Sequence, residues 1–195
     1  KKNFFNFNEI TSKPISQNLI SLRNRLLSQE IKKFLNALKI RSSENKITNL
    51  IKEHDHIFYI KNPIKNNYGG IGFNNSLFLY TFMNSISLNN IIESGVWKGY
   101  STFLFDQYYK KVKKMSFDIN FSKIIYNSEN SQYCNYDIKN HDFNKKLISN
   151  KTLSFFDDHV SHLDRLKLSD MLKIKYIVFD DDVNYSTTHS DGWPS

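Results

Sequence analysis

The segment from Ile91 to Thr102 places the strongest constraint on how this 195-residue chain can fold. It begins with Ile91 and Ile92, and such apolar, β-branched residues are typical of a strand covered on both faces of a parallel sheet. Gly95 and Gly99 let the backbone turn sharply and approach a ligand without an intervening Cβ atom. Apolar residues then recur at helical spacing. The segment therefore predicts a buried strand, a tight turn and the first turns of a helix.

Strand-like segments recur after this unit and alternate with other structure. The predicted later strands are 114–119, 132–138, 153–159 and 175–182. Residues from Ser161 to Leu172 are predicted to form a helix with Leu163, Leu166 and Met171 facing inward. Strands that alternate with helices favour a parallel, right-handed arrangement. We therefore expect an α/β fold, with a Rossmann-like doubly wound parallel sheet.

The N-terminal part of the chain has a different pattern. Residues 1–60 are predicted to be a polar arm followed by a helical appendage, and residues 61–195 the sheet-containing domain. The appendage has three candidate roles: packing on the sheet, covering the cleft, or forming a homodimer. His54 and His56 are two residues apart and diverge on a helix, so we expect both to be solvated rather than to bind a metal.

Composition limits the possible partners and the compartment. The formal charge of +8 suggests nucleic acid, but only four of the 27 basic residues are arginine, the preferred reader of phosphate and guanine. Compositional drift is therefore the favoured explanation of the charge, and an anionic partner the alternative. No apolar run approaches the roughly 20 residues that cross a bilayer. The single cysteine, Cys134, fits a reducing cytoplasm.

Carboxylates lie at or near the C-terminal end of every predicted strand. They are Glu93, Asp118, Asp137, the pair Asp157 and Asp158, and the run from Asp180 to Asp182. The carboxyl ends of parallel strands meet at one edge of a sheet, where open α/β folds bind their ligands. Like charges repel unless a cation or a donor-rich ligand offsets them. The pattern therefore predicts a ligand site at this edge.

The run Glu93-x-Gly95-x-x-x-Gly99 resembles motif I of the class I S-adenosylmethionine-dependent methyltransferases. The segment Gly-Val-Trp-Lys-Gly is similar, more narrowly, to the corresponding segment of metal-dependent sugar O-methyltransferases of the macrocin O-methyltransferase type. One departure is Trp97, which stands where the middle glycine is usual. The cofactor-binding residues that follow from this resemblance are Glu93, Gly95, Trp97, Gly99, Ser101, Asp118 and Asp137.

Two of these carboxylates have expected partners on S-adenosylmethionine. Asp118 follows the glycine turn by about twenty residues, where a carboxylate can accept hydrogen bonds from both ribose hydroxyls of a nucleoside. The resemblance assigns Asp118 the same role. It places Asp137, at the end of the third strand, near the amino group of the adenine. For both, an exposed acid at a strand end is the alternative.

The resemblance also implies a metal site. It places Asp157, Asp180 and Asp181 on the ligands of Mg²⁺, a hard cation that prefers oxygen. His159 stands where the family carries a second aspartate, so it becomes the expected general base. Asp158 replaces the family's glycine. A transition-metal site that includes His162 is an alternative, as are helix capping and a solvated loop.

The resemblance implies Mg²⁺-assisted O-methylation of a small polar, sugar-like substrate. A non-catalytic binding module and an RNA methyltransferase are the alternatives. The family's final antiparallel strand pair has no counterpart after residue 184, so we expect a C-terminally truncated form of the fold.

Overall fold

A computed structural model describes residues 17–67, 70–108, 112–143, 148 and 150–180. These residues contain a five-stranded sheet in which every neighbouring pair is parallel. The spatial order is β3-β2-β1-β4-β5. The strands are β1 Asn90–Ser94, β2 Lys113–Phe117, β3 Ser131–Cys134, β4 Thr152–Phe156 and β5 Tyr176–Phe179. The predicted α/β, Rossmann-like parallel sheet is confirmed.

The order of the strands creates a switch point between β1 and β4. The chain moves from β1 outward to β2 and β3, and then returns to the other side of β1 as β4. Ser94, the last residue of β1, lies opposite Phe117 of β2 and Phe156 of β4. Connections leave the carboxyl edge on both sides of this point, which is where open α/β sheets have their ligand-binding crevice. The segment from Gly95 to Gly99 borders this crevice.

Helices cover both faces of the sheet. They are α1 Gln17–Ala37, α2 Glu44–His56, α3 Phe73–Met83, α4 Tyr100–Tyr108 and α5 His162–Met171, with a π-helical turn at Ile57–Lys61 and a 3-10 helix at Ile138–Asn140. Residues of α1 to α4 share one apolar core with Leu153 and Phe155. The opposite core contains Ile92 and Phe156, against which Leu168 of α5 packs. The predicted helical appendage, α1 and α2, therefore packs into the layer on the α4 face.

The inward face of α5 differs from the prediction. Leu163 and Met171 are 59% and 65% exposed, and Leu166 is exposed as well. Arg165 and Ser169 are the buried residues of the helix, so the predicted face was wrong. A pattern that counts only apolar side chains cannot find a face occupied by an arginine, because burial of its charge depends on partners elsewhere in the chain.

The alternation of strands and helices is incomplete. The connection between β2 and β3, residues 118–130, contains no helix. Instead it crosses the carboxyl edge of the sheet, where the amides of Ile125 and Tyr126 donate to the carbonyl oxygen of Lys98. Among the described helices, none is long and apolar enough to cross a membrane.

His54 lies in the core, and the prediction that it is solvated was wrong. Its side chain is fully buried, its Nε2 atom lies 2.9 Å from Ser76 Oγ, and rings of Phe58 and Phe73 pack against it. The Ser76 hydroxyl donates to the carbonyl oxygen of Phe73, so it accepts from Nε2–H of a neutral imidazole. Burial lowers the pKa of His54 from 6.5 to about 4.

The buried imidazole predicts a stability that falls with acid. Between pH 6.5 and 4 the unfolded chain takes up a proton on His54 that the folded chain excludes, so the free energy of unfolding declines by about 3 kcal/mol. His54→Gln should lose this part of the pH dependence, as measured by urea unfolding at a series of pH values. The matched control is His56→Gln, at an exposed position of α2. An unchanged slope in the His54 variant would show that the imidazole titrates alike in both states.

Candidate functional site

Glu93 is buried beneath the first turn of α4, where it is only 1% exposed. Its Oε1 atom accepts from Ser101 Oγ at 2.5 Å, and Oε2 accepts from Thr102 Oγ1 and Ser116 Oγ, both at 2.7 Å. Burial raises the pKa of Glu93 above its ordinary value, and the three hydroxyl groups oppose that rise. Two predicted cofactor residues, Glu93 and Ser101, are therefore bonded to each other, and they fix α4 to β1 and β2.

Asp118, the first residue after β2, is bonded to the turn that follows β1. Its Oδ2 atom accepts from the amides of Val96 and Trp97 at 2.8 and 3.0 Å, and Oδ1 accepts from the amide of Asn120 at 2.9 Å. The carboxylate therefore lies beside the turn, and its predicted contact with a ribose stays a prediction. The turn amides surround it, so any ribose hydroxyl would have to share its oxygens with these donors.

Both glycines of the turn are required by close approach of the protein backbone. Gly95 and Gly99 have φ values of +89° and +88°, in the left-handed region that glycine favours. A Cβ atom on Gly95 would collide with the carbonyl oxygen of Asp157, and one on Gly99 with that of Tyr126. These contacts hold the turn against the loops after β4 and β2. The glycines were predicted to let a ligand approach the backbone closely. At the two positions that a Cβ atom would occupy, the groups that approach are carbonyls of the chain itself.

Four described residues other than glycine have a positive φ, and two of them border the crevice. Lys39 and Lys173 follow α1 and α5. In both cases the amide of the next residue donates to the carbonyl oxygen of the residue five positions earlier, a hydrogen bond that is common at helix C-termini. Trp97, with φ of 47°, and His159, with φ of 54°, lie in the loops after β1 and β4. Trp97 therefore has a backbone conformation that suits the glycine it replaces. Strain of this kind concentrates at functional sites.

Arg165 connects two of the carboxylates that were predicted to lie at the carboxyl edge of the sheet. It is 2% exposed, and its Nη1 and Nη2 atoms donate to the two oxygens of Asp137 at 3.0 and 3.2 Å. Its Nε donates to Asp158 Oδ2 at 2.8 Å, and the same oxygen accepts from Ser94 Oγ at 2.5 Å. Burial favours a raised pKa for Asp137, but hydrogen bonds from Arg165 and from the Lys139 amide hold it below its ordinary value. Both oxygens of Asp137, predicted near the adenine amino group, are bonded to this guanidinium.

The predicted metal ligands lie on the other side of the switch point. Asp157 follows β4 directly and Asp180 follows β5, whose last residue lies opposite that of β4. Asp180 Oδ1 accepts from Asn75 Nδ2 at 3.1 Å. Asp181 lies outside the described residues. Within residues 17–180, as far as they are described, no group of three His, Cys, Asp or Glu side chains is placed to hold a metal. The described residues thus supply two of the three predicted ligands, which is too few to define a metal centre.

The two histidines after β4 have separate environments. His159 is exposed in the loop after β4, next to Asp158. The ring of His162 packs on Phe179, with 4.3 Å between centroids, and Phe179 in turn stacks on Phe156. His162 therefore contributes to the packing of α5 on β5 in this arrangement.

Sequence reasoning missed Arg165, Ser94 and Ser116. Polar residues within a strand or in the middle of a helix give no periodic signal of their own. The available clue to Arg165 was its isolation, since it is one of four arginines in a lysine-rich chain. Planar bidentate pairing with a carboxylate is the task for which arginine is preferred over lysine.

The turn geometry predicts that Gly95→Ala destabilises the fold. The substitution adds a collision with the Asp157 carbonyl to the strain of a left-handed backbone, so the free energy of unfolding should fall by about 2 kcal/mol or more. Gly72→Ala is the matched control, because a Cβ atom there meets nothing within 4 Å. Denaturant unfolding of both variants measures the difference. Equal stabilities would mean that the turn and the β4 loop are not in contact.

The comparisons with known proteins leave the family open. No protein-family model matches this chain, and no curated protein sequence matches it. The resemblance to methyltransferases consequently depends on the motif and on the order of the strand-end acids.

Proposed function

We propose that the chain binds S-adenosylmethionine over the turn from Gly95 to Gly99 and transfers its methyl group to a hydroxyl of a small polar substrate. The observation that carries this proposal is the position of Asp118, a carboxylate held beside a glycine turn at the switch point of a parallel sheet. This is the part of an open α/β sheet where a nucleoside is expected, with its ribose hydroxyls facing an acid.

Local structure supports a nucleoside without phosphates. In dinucleotide-binding folds the amides of the glycine turn and the N-terminus of the next helix attract the pyrophosphate. Here the amides of Val96 and Trp97 already donate to Asp118, which brings negative charge to the same place. A phosphate group would meet that carboxylate at close range and would be repelled. A sulfonium cofactor carries a positive charge and meets no such penalty.

Transfer of the methyl group requires a base and an aligned acceptor. The acceptor oxygen attacks the methyl carbon, the carbon–sulfur bond breaks, and sulfur keeps the electron pair as a neutral thioether. The hydroxyl proton passes to a base, for which exposed His159, in the loop after β4, is the candidate. Alignment of the two reactants would supply most of the acceleration. Mg²⁺ at Asp157, Asp180 and Asp181 would polarise the acceptor if bound, and that part stays a prediction.

A non-catalytic binding module is the second candidate function. It is favoured by the same Asp118 contacts, because a turn whose amides are occupied by the chain's own carboxylate is stable without a ligand. The two functions differ in whether the Asp118 oxygens also accept hydrogen bonds from a ribose.

Binding of S-adenosylhomocysteine and of its 2′,3′-dideoxy analogue separates them. If Asp118 accepts from the ribose, calorimetry should show wild-type chain preferring the hydroxylated ligand by tenfold or more, since hydrogen bonds to charged groups contribute about 1.5–3 kcal/mol. Asp118→Asn should lose most of that preference. Asp142→Asn, at an exposed site after β3, is the matched control and should keep it.

Two other results are informative. If Asp118 only supports the turn, its substitution weakens both ligands equally and the preference persists. No heat and no thermal shift with either ligand on the wild-type chain would exclude the cofactor and leave the binding module.

A further inference from the structure

Three loops at the carboxyl edge of the sheet form one continuous surface. The ammonium group of Lys98 donates to the carbonyl oxygen of Asn66 at 2.7 Å, which connects the turn after β1 to the loop 62–67. The amides of Ile125 and Tyr126 donate to the Lys98 carbonyl at 3.0 and 3.1 Å, which connects the turn to the loop 118–126. We call the lysines of these three loops, Lys65, Lys98 and Lys123, the lysine rim.

The three loops carry more lysines than acids. Asp118 is the single carboxylate among residues 62–67, 95–99 and 118–126. Its oxygens accept from three backbone amides, so it lies against the turn. Within the described part of the chain, none of the three lysines forms an ion pair with a carboxylate. Lysine is abundant throughout this protein, but these loops combine three lysines with a single carboxylate, which already accepts from three backbone amides.

Apolar and aromatic side chains accompany the lysines. Lys98 Nζ lies 4.3 Å from the centroid of the Trp97 ring, and only one of its three N–H donors is used by Asn66. Ile119 and Ile125, on the same loop as Lys123, are 77% and 57% exposed. An anion bound by the ammonium groups would therefore have apolar surface beside it for an organic moiety.

We propose that the lysine rim binds a phosphate-bearing small molecule, and that this molecule is the methyl acceptor. The second half of this proposal rests on the proposed function, whereas the binding itself does not. Ammonium groups bind phosphate as point charges. The amides of Val96 and Trp97 are occupied by Asp118, so the phosphate is held by side chains and not by the turn.

A small molecule fits better than nucleic acid. The four arginines of the chain lie elsewhere: Arg23 and Arg25 on α1, Arg41 before α2, and Arg165 buried against Asp137 and Asp158. Arginine supplies the bidentate contacts and the stacking that nucleic-acid surfaces favour. Three lysines on three adjoining loops can hold one or two phosphate groups, whereas a nucleic acid strand is bound through a longer series of contacts.

The test is calorimetry at low ionic strength with pyrophosphate and with uridine diphosphate glucose as probes. Replacing Lys65, Lys98 and Lys123 together by methionine should weaken both probes at least tenfold. The matched control replaces Lys32, Lys52 and Lys113, three exposed lysines on α1, on α2 and at the opposite edge of the sheet, and should bind like wild type. The double variant Lys65→Met/Lys123→Met leaves the Lys98 contacts intact. It should bind both probes at least threefold more weakly than wild type.

Titration with S-adenosylhomocysteine separates this inference from the proposed function. The double variant Lys65→Met/Lys123→Met, which leaves the Gly95–Gly99 turn intact, should keep its affinity for S-adenosylhomocysteine while binding both phosphate probes more weakly than wild type. If S-adenosylhomocysteine does not bind the wild-type chain, the bound phosphate compound loses its role as methyl acceptor. Binding of pyrophosphate would still show whether the lysine rim binds phosphate. Equal binding of the probes to the rim and control variants, or no binding to wild type at millimolar concentration, would overturn the inference. Tighter binding of a ten-nucleotide single-stranded RNA, with a steep dependence on salt, would overturn it in favour of nucleic acid.

Discussion

The burial of Arg165 is the constraint on which the arrangement of the carboxyl edge depends. A guanidinium removed from water must be offset by charged partners, and loss of one partner typically costs about 3–5 kcal/mol. Asp137 and Asp158 provide these partners from the loops that follow β3 and β4. In the sheet, β2 and β1 lie between these two strands. The ion pairs therefore join strand ends that are not neighbours in the sheet. They also hold Asp158 against Ser94, which precedes the glycine turn.

The other two carboxylates on this side of the sheet are satisfied without cations. Glu93 accepts from three hydroxyl groups and Asp118 from three amides. An array that appears in the sequence as a row of acids is thus divided into separate hydrogen-bonded units. The acids at the ends of β4 and β5, Asp157 and Asp180, are the ones to which the metal hypothesis still applies. The loops after β1 and β2 also carry Lys98 and Lys123, so acidic and basic side chains occur together at this edge.

The sequence was sufficient to predict the parallel sheet because its signals are local. Buried strands are short apolar runs, and a glycine turn before a helix is a contiguous pattern. The side-chain partners could not be predicted in the same way. Arg165 lies 28 residues from Asp137, and Glu93 lies 23 residues from Ser116, so the pairings appear only once the strands are ordered. His54 was misjudged for the same reason, since the rings that cover it belong to other elements.

Backbone strain gives an independent indication of where the site lies. Trp97 and His159 have left-handed backbones without the helix C-terminus that accounts for Lys39 and Lys173. Such conformations cost about 1–3 kcal/mol each and persist only where the surroundings enforce them. For Trp97 the contacts that impose this conformation are known. Its amide donates to Asp118, and the glycines on either side, Gly95 and Gly99, pack against backbone carbonyls of other loops. Both strained residues border the crevice at the switch point, on opposite sides of it. The proposed cofactor site would require a turn and a facing loop of fixed conformation at this place, because a preorganised site is shaped before its ligand arrives.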